Sequence, residues 1–60
     1  MARILIVDDE QAIRRALKDI LLLEKYEVEE AADGLDCLVQ LKQKQFDVII
    51  LDIKMPKMDG

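Results

Sequence analysis

The apolar residues of this chain fall into five short segments, and their spacing alternates between that of a buried strand and that of a helix. Residues 3–7 (RILIV) form a largely β-branched run closed by Asp8 and Asp9, which predicts a strand buried on both faces. From Gln11, apolar residues recur at intervals of three and four and predict an amphipathic helix of about 14 residues, with Asp9 as its N-cap, that ends near Lys25. Its apolar side carries Ile13, Leu17, Ile20 and Leu21, and its polar side carries Arg14, Arg15, Lys18 and Asp19.

The middle of the chain changes period twice. Residues 26–29 (YEVE) alternate between apolar and charged side chains, which is typical of a short, half-exposed strand at the edge of a sheet. The Asp-Gly pair at residues 33–34 signals a turn. Apolar residues then return to helical spacing and predict a second helix from residue 35 through about residue 45.

The last apolar segment and the order of the elements define a fold class. Residues 46–51 (FDVIIL) predict a third strand that ends in Asp52, and residues 54–60 are expected to form a loop because Pro and Gly interrupt regular structure. Strands that alternate with helices, two of them uniformly apolar, predict an α/β fold: a three-stranded parallel sheet with two helices in right-handed crossovers. The half-exposed second strand belongs at an edge, so the expected strand order is 2-1-3.

Three carboxylates follow two neighbouring strands of the predicted sheet. Asp8 and Asp9 end strand one and Asp52 ends strand three, so all three are expected at the crevice where the chain departs from strand one in both directions. Like charges at this rim repel one another, and a hard divalent cation, Mg²⁺ or Mn²⁺, would neutralise them. The alternative is that these residues only cap helices and solvate a loop. With a cation beside it, Asp52 could also be a nucleophile toward phosphoryl groups.

Composition narrows the classes of function. The chain has 60 residues, of which 52% are apolar and 37% charged, and this predicts one folded domain rather than a disordered segment. One Cys and no His exclude an internal disulfide and a zinc site of the Cys/His type. A formal charge of −4 without a basic cluster argues against direct contact with nucleic acid. No apolar stretch approaches the roughly 20 residues that cross a bilayer, so no membrane segment is expected and the predicted location is cytoplasmic.

Five segments, in this order along the chain, resemble the receiver domain of two-component response regulators. They are residues 4–10 (ILIVDDE), 26–28 (YEV), 32–34 (ADG), 46–52 (FDVIILD) and 55–60 (MPKMDG). The resemblance implies that Asp52 is the phosphoacceptor that takes a phosphoryl group from a sensor histidine kinase. It also implies a Mg²⁺ site made of Asp8, Asp9, Asp52 and the backbone carbonyl of Lys54.

The chain also departs from the family pattern. Receiver domains continue through two further strands that supply a hydroxyl residue, a Lys that contacts the phosphoryl oxygens and a switch aromatic, none of which residues 1–60 contain. By the resemblance, residues 1–60 are expected to be a truncated receiver: the N-terminal half of a doubly wound, flavodoxin-like domain plus the loop after the phosphoacceptor. Such a half is not expected to be an enzyme or to be phosphorylated efficiently. The family tends to have Gly where Lys25 stands, a helix exit at which left-handed backbone costs a non-Gly residue about 1 kcal/mol.

Other functions match less of the sequence. A P-loop nucleotide-binding fragment would need G-x-x-x-x-G-K-[ST], and a phosphatase of the haloacid dehalogenase type would need Asp in place of Lys54. A truncated or engineered half-domain that self-associates without signalling stays open, because an uncovered third strand predicts a homodimer or larger assembly. Cys37 is expected to be a small buried core residue rather than a reactive thiol. Arg14 and Arg15 are expected to form a solvated helix face, or, as the resemblance implies for the first helix, a contact with the kinase.

Overall fold

The chain forms a three-stranded parallel sheet with two helices. The structure is a computed structural model that describes residues 1–52, and Asp52 is described by its backbone only. The elements in chain order are β1 (Arg3–Asp8), α1 (Gln11–Leu23), β2 (Glu27–Ala31), α2 (Gly34–Gln43) and β3 (Val48–Asp52). The strand order is β2-β1-β3, and both pairs are parallel. The predicted fold class and strand order are confirmed, whereas the loop predicted for residues 54–60 lies outside the described residues.

The core is built around β1, the central strand. Side chains alternate between the two faces of a strand, so Leu5 and Val7 share one face. Both are buried in a cluster with Ala31 and Cys37, against which Phe46 packs, so α2 covers this face. The burial of Cys37 confirms its prediction as a small core residue.

The opposite face of the sheet lies under α1. Ile6 is fully buried and its register partner on β2 is Glu30, whose carboxylate forms ion pairs with two side chains of α1. The predicted apolar side of α1 holds for Ile13, Leu17 and Leu21, which are half-buried, but not for Ile20, which is 58% exposed. The helix therefore packs along an i, i+4, i+8 row.

The start of α1 differs from the prediction. Glu10, not Asp9, is the N-cap, and it makes no side-chain capping bond. The physical reason is that the Oδ1 atom of Asp8 accepts the Glu10 N–H at 2.8 Å, which holds the chain in a turn for two residues after β1. The first helical bond then runs from the Arg14 N–H to the Glu10 carbonyl, at 3.1 Å.

The end of α1 has left-handed backbone at Lys25, with φ 68°. The Lys25 N–H donates to the Leu22 carbonyl at 2.9 Å, and the Tyr26 N–H donates to the Leu21 carbonyl at 3.2 Å. These two bonds form a Schellman motif, which satisfies carbonyls that the last turn leaves free. The motif takes up the N–H of Tyr26, and β2 therefore begins at Glu27 rather than at residue 26.

The remaining boundaries also move by a few residues. β2 continues past the predicted residue 29 to Ala31, because its ladder with β1 runs on to the Val7–Ala31 pair. The side chains of Glu29 and Glu30 pair with Lys44, just after α2, and with Arg14 of α1. α2 begins at Gly34, where the N-cap Asp33 accepts the Asp36 N–H at 2.8 Å, and it ends at Gln43 rather than near residue 45.

β3 begins at Val48 rather than at residue 46, and it is the least covered strand. Asp47 is bonded to the start of β1 before the strand begins: its Oδ2 accepts the Arg3 N–H and its own N–H donates to the Arg3 carbonyl, both at 2.8 Å. Within residues 1–52 no Cα atom of either helix lies within 8 Å of a Cα atom of β3, and Val48 and Leu51 are 47% and 54% exposed. Neither helix in this part of the chain is long and apolar enough to cross a bilayer.

Candidate functional site

The register of the sheet brings the predicted site residues to one edge. Asp8 is the register partner of Asp52, so the backbones of the two residues lie side by side at the carboxyl ends of β1 and β3. Neighbouring strands are about 4.8 Å apart, which sets the scale of this edge. Asp9 follows Asp8 directly. The predicted convergence of the three aspartates at the strand ends therefore holds for the backbone.

The two aspartates after β1 differ sharply in their surroundings. Asp8 is buried, with 1% of its surface exposed, and its Oδ1 accepts the Glu10 N–H at 2.8 Å. Asp9 is exposed to solvent. A buried carboxylate is stable only when hydrogen bonds or charges compensate its lost hydration. The site thus offers one carboxylate held by the fold and one that solvent or a ligand can reach.

A guanidinium group supports this strand end from α1. The Nη1 atom of Arg14 donates to the backbone carbonyl of Asp8 at 2.6 Å, and its Nε donates to the carboxylate of Glu30 at 3.1 Å. Lys18 pairs with the other oxygen of the same carboxylate at 3.4 Å. The Arg14 side chain is only 14% exposed, so the predicted solvated helix face is wrong for this residue, whereas Arg15 is exposed as predicted.

The sequence contained a signal for the partner of Arg14. Glu30 lies two residues after Val28, on the side of β2 where the period-two pattern places apolar residues. A carboxylate on the covered side of a strand needs a cation opposite it. The missing information was which helix covers that side, and the sequence pattern alone did not provide it.

The donor set at the strand ends fits a hard divalent cation. Carboxylate oxygens are the ligands that Mg²⁺ prefers, and it keeps several waters when only one or two carboxylates bind it. The side chains described for residues 1–51 include no group of three His, Cys, Asp or Glu residues that could hold a metal ion. The third predicted carboxylate, that of Asp52, and the whole of Lys54 lie outside that description. Asp8 and Asp9 are thus the described part of the candidate centre.

The comparisons with known proteins cover almost the entire chain. A family model described as "Response regulator receiver domain" matches residues 4–60. The response regulators MprA of Mycobacterium sp. (strain KMS) and of Mycobacterium avium (strain 104) are each 41% identical to this chain over 58 residues. These matches cover 97% of this chain and 25% of each relative, so the chain spans about a quarter of the length of the curated relatives it matches.

Two solved structures have the same arrangement of strands and helices. The chemotaxis protein CheY4 of Vibrio cholerae superposes with a TM-score of 0.88 and 46% identity, over 97% of this chain and 48% of that one. The response regulator protein TrrA of Thermotoga maritima, in complex with Mg(2+)-BeF, has a TM-score of 0.86 and 46% identity, over 93% of this chain and 49% of that one. With a family match that runs from Ile4 to Gly60, the chain belongs to the response regulator receiver domain family.

Proposed function

We propose that this chain is the phosphoryl-accepting segment of a response regulator, in which Asp52 receives a phosphoryl group from a sensor histidine kinase. The observation that carries the proposal is the register that pairs Asp8 with Asp52 at the carboxyl ends of β1 and β3. Membership of the receiver family supports it. Because the chain spans about a quarter of its curated relatives, the partners and activity of a whole regulator are part of the proposal.

The proposed metal ligands are Asp8, Asp9, Asp52 and the backbone carbonyl of Lys54, with Mg²⁺ as the ion and Mn²⁺ as a substitute. The similar protein TrrA, solved in complex with Mg(2+)-BeF, supports this choice of ion. When bound, the cation would offset negative charge on the carboxylates and on the phosphoryl oxygens. The exposure of Asp9 leaves room for the waters that Mg²⁺ retains.

The proposed transfer forms one bond and breaks one. A carboxylate oxygen of Asp52 attacks the phosphorus of a phosphohistidine, the P–N bond breaks, and its electron pair stays with the imidazole, leaving an aspartyl phosphate. Phosphoryl transfer requires little from the protein beyond positioning and charge stabilisation. Asp8 is suited to positioning the cation for this transfer, because the Glu10 N–H holds its carboxylate in place. In this reaction the chain is the acceptor, and we propose no enzymatic action on other molecules and no direct contact with nucleic acid.

A cytoplasmic location belongs to the same proposal, because the proposed donor, a phosphorylated kinase histidine, is made from cytoplasmic ATP. The proposal is tested in a chimera in which residues 1–60 replace the part of Vibrio cholerae CheY4 that they match. With acetyl phosphate and Mg²⁺, we expect intact mass to show one added phosphoryl group. The gain should vanish in the Asp52→Asn chimera and when a chelator removes the cation.

Two controls give this experiment its meaning. Unaltered CheY4 reports whether the donor and conditions are adequate, and cooperative melting of each chimera reports that it is folded. A folded chimera that gains no phosphoryl group while CheY4 does, or that gains one without Asp52, would contradict the proposal. Residues 1–60 alone should react far more slowly than the chimera, since they lack the Lys that contacts the phosphoryl oxygens in the family.

A further inference from the structure

The side chain of Arg14 joins two elements to the end of β1. Its Nη1 donates to the Asp8 carbonyl at 2.6 Å and its Nε donates to Glu30 at 3.1 Å, so one rigid guanidinium links α1, β1 and β2. The backbone N–H of the same residue closes the first turn of α1 on Glu10. Arg14 is therefore fixed at both its backbone and its head group, beside the two residues that begin the candidate metal centre.

The carbonyl that Arg14 binds belongs to the peptide between Asp8 and Asp9. A peptide unit is planar, so a bond that fixes the direction of its carbonyl also fixes its N–H and the start of the next residue. That next residue is Asp9, which has left the ladder of β1 and is exposed. Arg14 thus restrains the backbone from which the side chain of Asp9 departs.

Glu30 holds the guanidinium in the orientation this bond needs. The planar guanidinium of Arg donates hydrogen bonds in fixed directions. In Arg14 the Nε donor is taken by the Glu30 carboxylate, which is 29% exposed. Hydrogen bonds from a charged donor are about twice as strong as neutral ones. The same carboxylate pairs with Lys18, so it offsets only part of the positive charge of the two side chains, and what it gives Arg14 is orientation.

We propose that Arg14, held by Glu30, is a positioning residue for the divalent cation: it sets the orientation in which Asp8 and Asp9 present their oxygens. This inference rests on the proposed function, because it assumes that these aspartates bind Mg²⁺. Residues that hydrogen-bond to metal ligands and so orient them typically lower the metal affinity 10–100-fold when they are mutated. Arg14 acts through the backbone of Asp8 and is not itself a ligand.

The test compares Arg14→Lys with Lys18→Gln in the 60-residue chain. Arg14→Lys keeps the positive charge but loses the fork that reaches Glu30 and the Asp8 carbonyl together. Lys18→Gln loses an ion pair with the same Glu30 carboxylate, at 3.4 Å, and leaves the contact with Asp8 intact. Mg²⁺ affinity is measured by calorimetric titration at a temperature at which all variants are folded.

We expect the Mg²⁺ dissociation constant to rise about 10-fold or more in Arg14→Lys and to change less than about twofold in Lys18→Gln. Glu30→Gln, which leaves Arg14 in place but weakens its anchor, should raise the constant by an intermediate factor. It offers a second route if Arg14→Lys does not fold. In the metal-free protein, hydrogen exchange of the Glu10 amide, which is bonded to Asp8, should be faster in Arg14→Lys than in Lys18→Gln.

The possible failures are distinguishable. If the unaltered chain binds no Mg²⁺, the proposed function fails. If it binds Mg²⁺ and Asp9→Ala weakens this binding while Arg14→Lys and Glu30→Gln do not, Arg14 only ties α1 to the sheet and this inference is overturned. An equal loss of affinity in Arg14→Lys and Lys18→Gln would also overturn it, because the effect would then belong to the charge around Glu30.

Discussion

At the scale of single residues, the backbone of Lys25 is strained at the end of α1. Its φ of 68° lies in the left-handed region, where a side chain collides with the backbone and which costs L-residues roughly 1–2 kcal/mol. The Schellman bonds from Lys25 and Tyr26 require this conformation. The loop between α1 and β2 is so short that the turn cannot move elsewhere.

Lys25→Gly should therefore stabilise the chain. Glycine removes the steric cost but loses more backbone freedom on folding, by roughly 0.5–1 kcal/mol, so the expected net gain in unfolding free energy is about 0.5–1 kcal/mol. Lys42→Gly, at an ordinary position in the last turn of α2, is the matched control and should lose about 1 kcal/mol. Urea denaturation measures both. Equal losses in the two variants would show that Lys25 is not strained.

At the scale of elements, the hydrophobic pattern predicted all three strands, both helices and their order, because each has a distinct apolar period. It did not predict where they begin and end, since those points depend on single hydrogen bonds. The N–H of Tyr26 is used by the end of α1, and the Asp8 carboxylate uses the N–H of Glu10. Such hydrogen bonds set the first and last residues of an element, and the spacing of apolar residues does not reveal them.

The candidate site likewise contains residues that the apolar pattern places and one residue that depends on helix packing. The placement of Asp8, Asp9 and Asp52 at neighbouring strand ends could be predicted, because these residues follow apolar strands and the strand order brings those ends together. Their role as metal ligands stays a prediction. Arg14 could not be predicted, because it lies next to the apolar row of α1 and its role depends on how the helix is rotated over β2. The rotation of α1 about its own axis places Arg14 and Lys18 over Glu30 and leaves Ile20 exposed to solvent.

At the scale of the whole molecule, the cover of the sheet is uneven. Both helices lie over β1 and β2, and within residues 1–52 no Cα atom of either helix comes within 8 Å of a Cα atom of β3. In that part of the chain β3 pairs only with β1, so its other edge presents backbone groups beside exposed apolar side chains. Such an edge is a template on which a further strand can pair.

We expect the 60-residue chain to self-associate through β3, with a second copy as the partner, as the uncovered strand predicts. Val48→Lys places a charge on this strand at a 47% exposed position, away from Asp52, and should shift the assembly toward monomer without unfolding it. Leu23→Lys, at an 82% exposed position on α1, is the control and should leave assembly unchanged. Sedimentation at micromolar concentration decides. A folded monomer at every concentration would contradict the prediction.

The most direct test of the central claim, that the strand ends form a Mg²⁺ site, is thermal melting of the 60-residue chain with and without the ion. A ligand that binds only the folded state adds about 2.7 kcal/mol at one hundred times its dissociation constant, so the midpoint should rise with Mg²⁺. In Asp9→Ala the rise should largely disappear, and without metal this variant should melt no lower than the unaltered chain, since one repelling charge is gone. An unchanged midpoint in the unaltered chain, or an equal rise in Asp9→Ala, would contradict the account.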